Sequence, residues 1–277
     1  MTIEVVGIDV DPAKIISQQV LPGKEACVPS SFLNALRFGP PSFQETFMAL
    51  PGDSEAEKLR NLIELRGSVP SEVERWRRLF QGGVQLDDIA PYFNSLLASS
   101  VDHLVGKHFD IASWEEPAAH LRRIHSLLVS SLQERVPVVA IVAAFAATER
   151  KGGEFEWRRI AHHSILIVRV SATIPPDAQG FVCQFVDPAI GELCEGYVYS
   201  ETARHFQAIK TSGAGFIYSK TAKKFVPIKG LEDRWIDNGF LHLISPSLRW
   251  RTQDVPWYAR TFVILSHGLG RFDCRGA

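Results

Sequence analysis

Three short runs in the middle of the chain decide the fold: PVVAIVAAF (residues 137–145), HSILIVRVSA (163–172) and GFVCQFVDP (180–188). Each run is rich in branched or aromatic residues, and turns that contain glycine or proline separate them, which is typical of buried strands. Shorter runs of the same kind, such as CEGYVYS (194–200) and RTFVILSHG (260–268), continue towards the C-terminus. The sequence therefore predicts a mainly antiparallel sheet in the second half of the chain.

The first half of the chain has helical periodicity. A short amphipathic helix is expected after Cys27 and should end at Gly39-Pro40-Pro41, because proline does not continue a helix. Further segments repeat apolar residues at helical spacing, and the last of them follows a predicted capping box at Ser113 and Glu116. A helical half followed by a sheet predicts an α+β fold. The later helical segments are predicted at residues 53–67, 70–80, 86–106 and 113–136.

Composition limits the classes of partner. The chain has 277 residues, 45% of them hydrophobic, and a net charge of −1, so it can form a sizeable core but has no overall field to attract nucleic acid. The basic stretches RWRRLF (75–80) and HLRRIH (120–125) are interpreted as solvated helix faces. The longest apolar run, 136–147, is short for a membrane span. We therefore expect neither a nucleic-acid partner nor a membrane.

The N-terminal sequence MTIEVVGIDVDPAK (1–14) lacks the basic and apolar regions of a signal peptide. It predicts a cytoplasmic protein without a long inhibitory pro-segment, although delivery as an effector by another route stays open. The four cysteines show no CxxC spacing, which predicts free thiols rather than a zinc site. The histidine pairs 103/108 and 120/125 are five residues apart, off the spacing that sets two ligands on one helix face. No metal or cofactor is expected.

Cys27 has the sequence surroundings of a reactive thiol. It is followed by Val28-Pro29 and then by the apolar helix, so it should lie at or just before a helix N-terminus. The partial positive charge of that end lowers a thiol pKa and favours the nucleophilic thiolate. A cysteine simply buried beside a helix start would give the same pattern, so this feature alone leaves both interpretations open.

Three further groups complete a possible catalytic set. His163 is expected at the mouth of a strand, where its ring could serve as a general base for the thiol. Asp187 ends the next predicted strand and could hold the imidazole in one tautomer. A glutamine of the pair Gln18-Gln19 could donate its amide N–H to an oxyanion. Each of these residues taken alone also has an ordinary structural explanation.

The order glutamine, cysteine, histidine, aspartate resembles that of papain-like cysteine peptidases. CVPSSFLNAL (27–36) resembles the Cys-Gly-Pro-Thr-Ser helix start of bacterial bacteriocin-processing peptidases, and HSILIVRV (163–170) resembles the His-Ala-Val-Leu-Val-Val strand of papain. FVCQFVDPAIGE (181–192) resembles the Val-Asn-Asp-Pro ending of the bacterial group. The resemblance covers about residues 15–40 and 115–200.

This resemblance implies one papain-like domain over residues 1–277, with a helical N-terminal lobe packed against a C-terminal sheet. It also implies a cytoplasmic bacterial cysteine protease that cleaves an amide or isopeptide bond in a protein or peptide substrate, without a cofactor. Residues 42–112 would be a helical insertion that caps the cleft or recognises a partner, and residues 200–277 an additional β region. Oligomeric state and substrate identity stay open.

Carried over by position, the resemblance makes Cys27 the nucleophile, His163 the base, Asp187 the orienting residue and Gln19 the oxyanion donor. His163 is preferred to His162 by its phase along the strand, whereas Gln18 and Gln19 are nearly equal candidates. The chain departs from the family at Val28, where the bacterial group has glycine, and in the spacing between Gln19 and Cys27, which is eight residues instead of six.

Two other functions stay open on the sequence. An acyl or amide transferase would use the same thioester chemistry. SFLNAL (31–36) is similar to a stretch of phytochelatin synthases. Transglutaminase-like enzymes also place a histidine strand before an Asp-Pro strand end. A catalytically inactive papain-like binding module would retain the fold without the reaction.

Overall fold

The computed structural model describes most of the residues in each half of the chain. The fold is that of the described residues alone, and Cys27, His163 and Asp187 lie in their two longest stretches. Predictions that fall on other residues, including the helix at 70–80, the capping box at Ser113 and the role of RWRRLF, lie outside them. The described residues are 4–21, 26–64, 102–106, 117–149, 155–200, 209–211, 216–219, 224–227, 234–236, 241–248 and 260–274.

The helices confirm part of the sequence analysis. The first helix after Cys27 ends at Phe38, and the extended Gly39 and Pro40 that follow allow the next helix to begin with a proline at its first position. Glu55 and Glu57 lie in the first turn of the third helix, where carboxylates interact favourably with the helix dipole. The helices are α1 (Cys27–Phe38), α2 (Pro41–Ala49), α3 (Glu55–Glu64) and α4 (Pro117–Gln133).

The strands account for most of the second half, as the branched runs predicted. Single turns of 3-10 helix at Pro12–Lys14 and Gln18–Val20 connect the first strand to α1. The strands are β1 (Val5–Gly7), β2 (Asp102–Gly106), β3 (Val138–Glu149), β4 (Phe155–Ser171), β5 (Gly180–Asp187), β6 (Glu192–Ser200), β7 (Ile209–Thr211), β8 (Phe216–Ser219), β9 (Lys224–Pro227), β10 (Arg234–Ile236), β11 (Leu241–Ile244) and β12 (Arg260–Cys274).

Six of the strands pair in a continuous circuit. β4 pairs with β3, β3 with β12, β12 with β11, β11 with β6 and β6 with β5, and β5 pairs again with β4. All of these pairings are antiparallel, whereas the short β7 runs parallel to β4. β1, β2 and β10 add at the edges, and β8 and β9 form a separate hairpin. Helices with a mainly antiparallel sheet confirm the α+β class.

One helical prediction is wrong at its C-terminal end. The segment 86–106 was expected to be a helix, but its last five residues form β2, which pairs with residues 270–274 of β12. This pairing joins segments more than 160 positions apart, and such long-range contacts override weak local propensity. Residues 86–101 of the predicted helix lie outside the described residues.

Two hydrophobic cores lie on opposite faces of the sheet. Alternation along β3 separates them: Val139 belongs to the core under α1, α2 and α3, and Val138 and Ala140 to the core under α4. The α4 stripe that the sequence predicted is buried in the second core. Its residues are Leu121, Ile124, Leu128 and Leu132.

The described part of the predicted insertion contributes to the first core. Phe43 of α2 and Leu59 and Leu62 of α3 are fully buried and pack with α1. Burying each such side chain contributes roughly 1.5–3 kcal/mol. Residues 41–64 therefore support the helix that bears Cys27. None of the helices in the described ranges has the length and apolar character needed to cross a membrane.

Candidate active site

Cys27 is the first residue of α1. Ala26 caps the helix without a side-chain hydrogen bond, and Pro29 lies in the first turn, as predicted. The next nine residues of the helix are buried, whereas Cys27 itself is partly exposed and packs at the margin of the first core. The thiol therefore lies at the positive end of the helix.

His163 lies in the interior of β4, so the prediction that it opens a strand is wrong. β4 begins eight residues earlier, at Phe155, and pairs with β3 through the charged stretch that precedes the histidines. The consecutive charged residues Arg158 and Arg159 interrupt the alternation of this part of the strand, and the register with β3 shifts at the same place. The side chain of His162 lies outside the described residues.

Beside His163, one edge of β4 pairs with no other strand of the described residues. One edge of β4 pairs with β7 at Arg158 and with β5 from Leu166 onward, and no strand of the described residues pairs with that edge in between. α1 packs against β4, and the Ser164 hydroxyl donates to Ser31 Oγ at 3.0 Å. This bond fixes the residue after His163 one helical turn from Cys27.

Asp187 ends β5 and is completely buried. Its Oδ1 lies 2.7 Å from His163 Nε2 and also accepts a hydrogen bond from the Ala189 N–H at 2.8 Å. The register explains the first contact, because Leu166 pairs with Val186 and the next pair in that register would set residue 165 opposite Asp187. His163 is therefore a diagonal neighbour of Asp187 on the same face.

The electrostatics of the three groups favour a charged pair. Burial raises the pKa of the Cys27 thiol, but the hydrogen bond and charge of His163, with the backbone N–H groups of Ser164 and Val28, lower it below its ordinary value. Burial lowers the pKa of His163, but its hydrogen bonds to Asp187 and Cys27 and the charges of both raise it to about 9. Both shifts favour the thiolate–imidazolium form of the pair over the neutral form.

The two glutamines lie in different surroundings. The N–H of Gln18 donates to Pro188 O at 2.8 Å, and its side-chain Oε1 is buried without a hydrogen-bond partner among the described residues. Gln19 is exposed, and its Nε2 donates to Ala189 O at 3.4 Å. Gln19, which the sequence analysis preferred, is thus exposed at the surface, whereas Gln18 has a buried side-chain oxygen.

Asn34 is a buried polar residue of the helix that bears Cys27, and the sequence analysis did not single it out. It is completely buried in α1, and its amide bonds both backbone groups of Ile16, two residues before Gln18. The signal was present in SFLNAL (31–36), where one polar residue interrupts an apolar helix face. A buried polar side chain normally has specific partners.

The structure also describes the surroundings of two further cysteines and of the histidine pair 120/125. Cys183 and Cys194 are free and buried, in agreement with the free thiols predicted. His125 Nε2 bonds Ser171 O at 2.7 Å and His120 Nδ1 bonds Arg123, so both side chains have local partners. Across the described ranges, no cluster of three or more histidine, cysteine or acidic residues is arranged to hold a metal ion.

Of the predicted site residues, Cys27, His163 and Asp187 form one hydrogen-bonded chain, and Gln19 lies outside it. No protein-family model, curated protein or solved structure matches this chain. The chemistry of the site is therefore inferred from its own residues.

Proposed function

We propose that the protein is a papain-like cysteine hydrolase that cleaves an amide or isopeptide bond in a protein or peptide. The observation that supports this most is the chain from Cys27 through His163 to Asp187, in which the thiol pKa is lowered although burial would raise it. A merely buried cysteine has no partner of this kind, and its pKa moves in the opposite direction.

The reaction uses the pair in two roles. The Cys27 thiolate attacks the carbonyl carbon, and the electron pair of the C=O bond moves to oxygen. As the oxyanion collapses, the C–N bond breaks and the His163 imidazolium gives its proton to the leaving nitrogen. Neutral His163 then takes a proton from water, which attacks the thioester and releases the acid and the thiolate. Asp187 holds the ring by Nε2 throughout, which leaves Nδ1 for the thiol and water.

Two donors are proposed for the oxyanion. The first is the N–H of Cys27, because the first N–H groups of a helix lack partners within it. The second is the amide of Gln18, in preference to Gln19. Half a turn of the Gln18 amide exchanges its oxygen and nitrogen, so the buried, unpartnered position can present an N–H₂ donor.

The test is the alkylation of Cys27 by iodoacetamide as a function of pH, with the modified cysteine located by mass spectrometry. In the wild type we expect rapid reaction well below pH 8. In His163→Ala the profile should move to the ordinary thiol range, and the rate at pH 6.5 should fall towards that of an ordinary thiol, which is only about 1% thiolate at that pH.

The matched control is His125→Ala, which removes another buried histidine whose partner is a backbone carbonyl. It should leave the Cys27 profile unchanged. If Cys27 titrates as an ordinary or buried thiol in both the wild type and His163→Ala, the catalytic proposal is wrong, and the fold is better studied as a binding module.

A further inference from the structure

Asn34 makes three hydrogen bonds from the interior of α1. Its Oδ1 accepts from the Ile16 N–H at 2.8 Å, and its Nδ2 donates to Ile16 O at 2.9 Å and to Ser30 O at 2.9 Å. One side chain thus satisfies both backbone groups of Ile16, as a neighbouring strand would. Ile16 is itself completely buried, so no solvent can replace these bonds cheaply.

The segment after Ile16 is held from its other side by the turn that follows Asp187. The Ser17 hydroxyl and the Gln18 N–H both donate to Pro188 O, at 3.1 and 2.8 Å. Gly191 in the same turn has φ +72°, and a Cβ there would lie 2.9 Å from Ser17 Cβ. Residues 16–18 therefore bridge the helix of the nucleophile and the turn of the orienting aspartate.

This bridge limits where Gln18 can lie. Gln18 is two positions after Ile16, and each position adds at most about 3.5 Å of reach. A displacement of Ile16 is therefore passed to Gln18 with little chain to absorb it. Oxyanion donors need a fixed position to a few tenths of an ångström, because their effect depends on geometry that exists before the reaction.

We propose that Asn34 is a positioning residue, which sets the Gln18 amide relative to Cys27 through the two backbone groups of Ile16. This inference rests on the proposed function, because it assigns Asn34 a role in stabilising the oxyanion of that reaction. The alternative is that Asn34 stabilises the fold alone, in which case its loss would affect all reactions of Cys27 alike.

Two reagents distinguish these roles. Iodoacetamide reacts by displacement at a saturated carbon: the Cys27 sulfur bonds to CH₂, iodide leaves with its electron pair, and no oxyanion forms. Para-nitrophenyl acetate reacts at its carbonyl, where an oxyanion develops before nitrophenolate leaves. In Asn34→Ala we expect the acetylation rate to fall roughly 10–100-fold. The alkylation rate should stay within about twofold of the wild type.

Asn61→Ala is the matched control. Asn61 is a buried asparagine of α3 that donates to Pro51 O at 2.6 Å, and among the described residues no hydrogen bond connects it to the site. It should leave both rates near those of the wild type. Asn34→Ser retains a hydroxyl that can donate to Ser30 O, four residues earlier in the helix, so it serves if Asn34→Ala does not fold, and its acetylation rate should fall while alkylation stays.

A double variant tests the route through Gln18. If Asn34 acts by placing Gln18, then Asn34→Ala added to Gln18→Ala should lower acetylation little beyond Gln18→Ala alone. Equal losses of acetylation and alkylation in the Asn34 variants would overturn the inference, as would full additivity with Gln18→Ala. Failure of the proposed function gives a different result, because wild-type Cys27 would then show no fast alkylation below pH 8.

Discussion

Cys27 and Cys183 are the same residue type in opposite environments. Cys183 lies in the second core, and burial alone raises its pKa to about 12. Burial also raises the pKa of Cys27, yet His163 and two backbone N–H groups outweigh that effect. The difference shows that burial by itself raises a thiol pKa, and that a hydrogen-bonded histidine at a helix start can reverse the shift.

The largest predicted effect is the selectivity between these two thiols. At pH 6.5, iodoacetamide should modify Cys27 in the native protein roughly a thousandfold or more faster than Cys183, because the thiolate of Cys183 is nearly absent and shielded. Peptide mapping against time measures both rates. The denatured chain is the control, and both cysteines should react alike in it. Comparable native rates would contradict the assignment.

A second prediction removes the charge of Asp187. In Asp187→Asn we expect acetylation by para-nitrophenyl acetate at pH 8 to fall roughly 10–100-fold. His163 has a pKa raised to about 9, so its imidazolium is present below that pH and lost above it. Losing the carboxylate lowers that pKa, and the fall in activity at high pH should begin at a lower pH.

The pH profile of acetylation in the wild type and in Asp187→Asn checks this expectation. Asp9→Asn is the control, because Asp9 is an exposed carboxylate on the segment between β1 and the site. If the activity of Asp187→Asn begins to fall at the same high pH as that of the wild type, Asp187 does not support the protonated ring.

Much of the candidate site could be predicted, because local sequence signals mark some of its residues. Cys27 is marked by a proline-containing helix start, and Asp187 by an Asp-Pro strand end, both of which are local signals. The position of His163 within β4 was missed, because pairing with β3 and β7 extends the strand across the consecutive charges of Arg158 and Arg159, which interrupt its alternation. Local pattern cannot report such tertiary pairing.

The choice between Gln18 and Gln19 depends on contacts that no local pattern contains. The direction of each side chain is set by a single turn of 3-10 helix and by hydrogen bonds to residues 188 and 189, about 170 positions away. Asn34 is a similar case. Its polarity was visible in the sequence, but its partner Ile16 was not.

A third prediction concerns Cys183, the thiol that is buried in the second core. Cys183→Ser should lower the free energy of unfolding by about 1–3 kcal/mol, because it places a hydroxyl without a ready partner in the second core. The alkylation profile of Cys27 should not change. Denaturant unfolding and the alkylation assay measure the two quantities. A shifted Cys27 profile would mean that the two environments are coupled through the sheet.

The smallest predicted effect concerns the bond that joins α1 to β4 beside the reactive pair. Breaking the contact between Ser31 and Ser164 with either alanine variant should cost about 1 kcal/mol, and a double-mutant cycle should give a coupling of roughly 0.5–1.5 kcal/mol. Ser30→Ala is the control. The Ser30 hydroxyl is buried next to this bond, without a partner among the described residues, so its removal should be neutral or stabilising. If Ser31→Ala and Ser30→Ala have equal effects, the bond contributes nothing of its own. The thiolate of Cys27 would then depend on His163 and the helix start rather than on the way α1 is fastened to the strand.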